Sequence, residues 1–195
     1  DWSSDVCLPI CMIEISTFDP AIALIAVDRH KLDDFKPYIY KTEDFGKTWR
    51  LLVTGLPKNI FVRVVREDPK RKGLLYAGTE TGVFVSFNDG ATWQSLQLNL
   101  PATPIHDMVV KDDDFIVATH GRSFWILDDL TPLHQLDEKI AAASSFLFRP
   151  RDACRTGCGR FPIPNLGKNP PSVTIFYYYL KEKPAQEVVL EIMDS

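Results

Sequence analysis

The feature that most constrains this chain is a phrase written twice. Residues 41 to 49 read KTEDFGKTW, and residues 85 to 93 read VSFNDGATW. Thr42, Asp44, Gly46, Thr48 and Trp49 align with Ser86, Asn88, Gly90, Thr92 and Trp93, always 44 residues apart. Strand-forming residues flank both copies: YIY and GVFV before them, RLLV and QSLQL after them. Each copy places a glycine where a turn wants positive φ. Asp44 and Asn88 are placed to accept from nearby backbone N–H groups and close the turn locally, with Thr42 and Ser86 doing so more weakly. Trp49 and Trp93 are expected to fold over their own turns and bury large surfaces. The phrase predicts a β-turn staple with a structural role.

Strand order around the staples extends the repeat. FVRVVRED (61–68), LLYAGT (74–79), GVFVSF (82–87) and WQSLQL (93–98) read as four successive strands. MIEIS (12–16) and ALIAVD (23–28) open an earlier unit of the same kind, and IHDMVV (105–110), FIVATHG (115–121) and SFWILDD (123–129) a later one. In that third unit Asp129 takes the place of Asn88, and His134 takes the place of the tryptophan. A period of about 44 residues is that of a four-stranded propeller blade. The expected fold class is therefore all-β: a partial β-propeller of about three four-stranded blades over 11–138. A closed ring needs about four to eight blades, so the remaining blades of a full-length chain are expected partners. Residues 1–10 read as a leader, disordered or not native to the fold. Residues 139–171, rich in glycine and proline towards their end, read as a linker. Residues 172–195 read as the start of a truncated β-sandwich domain, a hairpin of VTIFYYYL and EVVLEIM.

Composition narrows the function classes. Asp and Glu number 26 against 22 Lys and Arg, so no basic stripe for nucleic acid is expected. No apolar run is long enough to span a membrane as a helix. The four cysteines fall in two pairs, Cys7/Cys11 and Cys154/Cys158, with wider spacing than zinc knuckles use. No metal and no cofactor is expected. The acidic run at 112–114 lacks a glycine-bearing calcium loop. His106 and His134 are expected to be structural.

The pattern Ser/Thr-x-Asp/Asn-x-Gly-x-Thr-Trp resembles the Asp-box, or bacterial neuraminidase (BNR) repeat. More widely, HKLDDFKPYIYKTEDFGKTW, the stretch from FVRVVREDPK to QLNLP, and VVKDDDFIVATHGRSFWILDDLTPL resemble large bacterial proteins with sortilin-type propellers. LFRPRDACRTGCGR and NPPSVTIFYYYLKEK stand where those proteins pass from propeller to β-sandwich. Such proteins are often labelled glycosyl hydrolases because of their Asp-boxes. The resemblance implies export to the periplasm or beyond. It also implies that the staples lie on the face opposite the binding face.

Blade geometry then selects the loops after second and fourth strands as the binding face: 28–37, 79–82 and 119–123, with 55–60 and 99–104. Aligning Ala26 with Ala77 gives the first loop seven more residues than the second. A glycosidase needs two carboxylates flanking the scissile bond. Asp28 and Glu80 are the catalytic candidates, with Asp33 and Asp34 nearby in sequence. Arg29, His30, His120 and Arg122 are the binding candidates, because arginine forks and imidazoles grip carboxylates and carbonyls. Two functions are expected: a module that binds a protein, peptide or glycan on its top face, or a sialidase- or glucanase-like glycoside hydrolase completed by further blades.

Overall fold

The computed structural model describes residues 10–153, 173–185 and 187–193. Cys7, Cys154, Cys158 and the leader up to residue 9 lie outside the described residues. The chain divides into two units, Asp1–Asp128 and Asp129–Ser195.

The first unit is built from three antiparallel sheets in chain order. β1 (Ile10–Ile15), β2 (Ala23–Val27), β3 (Ile39–Thr42) and β4 (Arg50–Leu51) form the first, each strand pairing with the next. β5 (Val62–Glu67), β6 (Leu75–Thr79), β7 (Val83–Ser86) and β8 (Gln94–Ser95) form the second in the same order. β9 (Ile105–Lys111), β10 (Asp114–Thr119) and β11 (Phe124–Leu127) form the third. These are propeller blades, two four-stranded meanders and one three-stranded among the described residues, laid face to face with β1, β5 and β9 side by side.

Packing follows from position in the stack. β6 is buried at every residue because the second sheet has a neighbour on both faces. Leu24, Ala26, Ile39, Leu52 and Leu56 of the first blade form one core with Val62, Val65, Leu75, Ala77 and Trp93 of the second. Tyr76 of β6 stacks on Phe115 of β10 at 4.5 Å. Gly78 lets these sheets close: a Cβ there would meet Val64 at 2.5 Å and Ile105 at 2.7 Å. Polar bonds add registry. Arg66 of β5 donates to Glu14 of β1 at 2.6 Å and to Asp107 and the Met108 carbonyl of β9 at 2.7 and 2.8 Å. Buried Lys41 of β3 donates to Asp89 in the second staple and to Glu43. Burial pulls its pKa down, but those two carboxylates outweigh burial and raise it.

Both staples close as their sequences require. Asp44 Oδ1 accepts from the Thr48 amide at 2.9 Å, and Asn88 Oδ1 accepts from the Thr92 amide at 2.9 Å. Thr42 and Ser86 hydroxyls accept from the amides of Gly46 and Gly90. Those glycines have φ of 84° and 80°, in the left-handed region that glycine enters freely. The Asp44 carboxyl is pulled down to about 2 by its bonds to Thr48.

Four expectations need correcting. Trp93 is buried at 4 % exposure, but Trp49 is 39 % exposed. Trp93 does not fold over its own turn; its indole donates to Leu52 O of the preceding blade at 3.0 Å. Among the described residues no sheet precedes β1, so Trp49 donates to Gly46 O of its own turn at 3.1 Å and stays open. Second, the third sheet has three strands among the described residues, not four. After Leu127 the chain forms α1 (Thr131–Gln135), started by Pro132, where an outgoing strand was expected. Third, the strand pairing relates the first two blades by 52 residues (Ala23↔Thr42 against Leu75↔Ser86), and the staples by 44. The first top loop is thus longer by 52 − 44 = 8 residues rather than seven, and Ala26 matches Gly78.

The fourth correction concerns the second unit. It holds α1, α2 (Glu138–Ala142), β12 (Ser145–Leu147) and β13 (Tyr178–Leu180). Asp137 caps α2 by accepting from the Ile140 amide at 2.8 Å. β13 pairs with β12, not with residues 187–193, which form no strand. Phe148 N donating to Tyr177 O and Lys181 N to Ser144 O extend that pairing at both ends. The stretch 139–171, read as a linker, therefore carries a helix and a strand in its first part.

Candidate functional site

One backbone device recurs in all three blades. The last residue of each second strand (Val27, Thr79, Thr119) donates its N–H across the top loop to Tyr38, Gly82 and Ser123 carbonyls at 3.1, 2.9 and 3.3 Å. The loops that these bonds close are 28–37, 80–81 and 120–122. The first residue of each loop is Asp28, Glu80 and His120. Three of the candidates chosen from sequence thus occupy one equivalent position. Glu80 and His120 are further fixed by their own amides, which donate to Phe61 O and Pro104 O at 3.3 and 2.9 Å.

A second device sits opposite. Each first strand carries a register shift at the same place: between Ile10 and Met12, Val62 and Val64, Ile105 and Asp107. The residues inside these bulges are Cys11, Arg63 and His106. A bulge bends its strand and re-aims a side chain. Here it turns Arg63 onto Glu80, with Nε and a terminal nitrogen at 2.9 and 2.8 Å. In the third blade it turns His106 onto His120, rings edge to face at 4.9 Å.

The first two blades join into one cluster. Arg63 also reaches Asp28 of the first blade at 3.9 Å. Asp28, whose side chain is only 5 % exposed, accepts from the His30 amide at 3.0 Å and meets His30 Nδ1 at 2.6 Å. A short 3-10 helix, His30–Leu32, lies inside the long loop. The His30 ring lies flat on Phe61 at 4.8 Å, and the Arg63 guanidinium sits over the same ring at 4.9 Å. The result is a cluster alternating in charge (Asp28, Arg63, Glu80) packed on the Phe61 ring, with Glu80 its most exposed member.

The other candidates lie apart from this cluster. Arg29 pairs with Asp34 at 3.1 Å and covers Tyr38. The Tyr38 hydroxyl donates to Asp34 at 2.8 Å, which lowers the Asp34 pKa and raises that of Tyr38. Asp33 turns the chain with φ of 57°. Arg122 is exposed, and its backbone carbonyl accepts from Trp125 Nε1. Among the described residues, no three His, Cys, Asp or Glu side chains converge as metal ligands, and no helix is long and apolar enough to cross a membrane.

Sequence reading passed over Arg63 and Phe61 and gave His106 a structural role. One signal was available for Arg63: a charged residue inside the apolar run IFVRVV, where only a bulge lets it leave the sheet.

No family model matches the chain, and no curated protein does. Solved structures similar to it are β-propeller proteins. One is the GH74 enzyme of Niastella koreensis, at 15 % identity and a TM-score of 0.49, over 62 % of this chain and 21 % of that one. Another is the GH74 xyloglucanase of Xanthomonas campestris, at 16 % and 0.47, over 62 % and 22 %. A third is YCF48 bound to D1 peptide, at 14 % and 0.43, over 61 % and 36 %. The chain thus spans between about a fifth and a third of the length of these proteins. Similarity at this level concerns the fold only.

Proposed function

We propose that this chain is the ligand-binding part of an exported, sortilin-like Asp-box propeller, taking a protein, peptide or glycan at its top edge. The carrying observation is the equivalence of Asp28, Glu80 and His120, with Glu80 and His120 each met by a bulge residue, Arg63 and His106. Rigid strand ends hold these groups, so they are pre-organised for recognition. They offer acceptors, donors and an aromatic floor within one surface, which suits amides and hydroxyls alike.

The hydrolase reading has one observation in its favour: Asp28 and Glu80 approach the same guanidinium. A glycosidase acid must hand a proton to the leaving oxygen. Here each carboxylate already accepts from a cation or imidazole, which suits binding better than proton donation. Peptide and glycan arrays probed with the chain test both readings. Binding that His120→Ala and Arg122→Ala weaken, without turnover of the bound glycan or peptide, supports the binding module. Turnover that Asp28→Asn or Glu80→Gln abolishes while binding persists establishes the hydrolase instead.

A further inference from the structure

The first top loop differs from the other two in length and in what it exposes. It runs from 28 to 37, against 80–81 and 120–122 in the second and third blades. The extra length is bonded onto itself. Leu32 and Asp33 amides donate to the Arg29 and His30 carbonyls at 2.8 and 3.1 Å. Asp34 accepts from the Tyr38 hydroxyl at 2.8 Å and pairs with Arg29 at 3.1 Å. This bonded loop nevertheless leaves Leu32 55 % exposed and Phe35 48 % exposed. An aromatic ring held half open on a fixed loop offers a partner large apolar area with little ordering left to do.

Phe35 joins the charged cluster through a single residue. Its ring meets the Phe61 ring at 6.2 Å, and the Phe61 carbonyl accepts from the Glu80 amide at 3.3 Å. Phe61 is buried, covered by His30 and Arg63, so of the two rings Phe35 is the one open to a ligand. Glu80 is only half used. Both Arg63 nitrogens bond the same oxygen, Oε2, at 2.9 and 2.8 Å. Among the described residues its Oε1 has no hydrogen-bond partner, and the side chain is 36 % exposed. Asp28 and Glu80 set two carboxylates against the one guanidinium of Arg63, so with neutral His30 the cluster keeps a surplus negative charge. Asp28 is buried, and Glu80 Oε1 is where that surplus faces solvent.

Resting on the binding reading above, we propose that this edge takes a peptide in which an apolar side chain stands beside a basic one. The apolar side chain lies on Phe35, and the lysine ammonium or arginine guanidinium donates to Glu80 Oε1. The second contact is a charge-assisted hydrogen bond, stronger than a neutral one. An anionic ligand would have to take Arg63 from Glu80, and a neutral glycan would leave the surplus charge unmatched, so charge complementarity selects the basic peptide.

The probes are blocked synthetic peptides that place leucine beside lysine, glutamine or glutamate, titrated by calorimetry against the whole chain. The lysine peptide should bind at least about fivefold more tightly than the glutamine peptide, and the glutamate peptide most weakly. Glu80→Gln should erase the lysine preference, and added salt should narrow it. Phe35→Ala should weaken the lysine peptide at least about fivefold, and Phe35→Leu, which keeps an apolar surface, much less. Melting temperatures should hold within a few degrees in both, because the ring is half exposed. Equal binding of the glutamine or glutamate peptide, or binding indifferent to Phe35→Ala, overturns the proposal. Glycan capture that His120→Ala weakens, with no peptide bound, overturns it too and leaves the binding reading standing. Capture of neither peptide nor glycan overturns both.

Discussion

Trp93→Ala is the most informative single change. The ring is buried at 4 % exposure between two blades, and its N–H is satisfied by Leu52 O at 3.0 Å. Truncating a buried tryptophan costs about 3–5 kcal/mol, from lost transfer energy and the cavity left behind. Trp49→Ala in the same staple context is the internal control. That ring is 39 % exposed and bonds only within its own turn, so its loss should cost about 1 kcal/mol. Urea denaturation followed by circular dichroism separates the two. With a slope of about 2 kcal/mol/M, the Trp93 variant should lose roughly 1.5–2.5 M in midpoint, and the Trp49 variant about 0.5 M. Equal losses would refute the argument that a staple tryptophan works by clamping the preceding blade.

Other outcomes follow from the same contacts. The Asp44 carboxyl sits at about 2 when folded, below its unfolded value of about 4, so its contribution is complete above pH 4 and disappears as pH falls towards 2. Asp44→Asn should keep the turn, as Asn88 does in the second copy, and acid titration of stability should be flatter between pH 4 and 2. Arg66→Met removes the bridge between β1, β5 and β9 and should cost about 2–3 kcal/mol in chemical denaturation, since the side chain is only partly shielded. Arg122→Ala should change stability by less than about 0.5 kcal/mol, because the side chain is exposed. In an array or titration assay it should weaken ligand binding.

Much of the fold was legible because the repeat carries its own alignment. Turn glycines, hydroxyls and carboxylates act within a few residues, so GKTW and GATW specify their turns wherever they occur. The fate of each tryptophan was not legible, because it depends on the blade before it rather than on the turn that carries it. Identical staples thus place Trp93 in a core and leave Trp49 at a surface. The β12–β13 pairing was hidden for a related reason: it joins residues 145–147 to 178–180 across a long separation, while the eye pairs neighbours. At the site, loop residues Asp28, Glu80 and His120 could be chosen from strand ends. Their partners were harder to choose: Arg63 is marked only as a charge inside the apolar run IFVRVV, and the bulge that turns His106 onto His120 leaves no mark in its strand.

On the proposed reading the equivalent strand-end residues form a binding surface. Calorimetric titration of an array-selected ligand into wild type, Glu80→Gln and His120→Ala, with melting temperatures recorded for each, tests it most directly. Glu80 is 36 % exposed at its side chain and His120 lies at the surface, so both variants should melt within a few degrees of wild type. Affinity should fall at least about tenfold in each while melting barely changes. Unchanged affinity with a lowered melting temperature would contradict it and assign the cluster to holding the blades together.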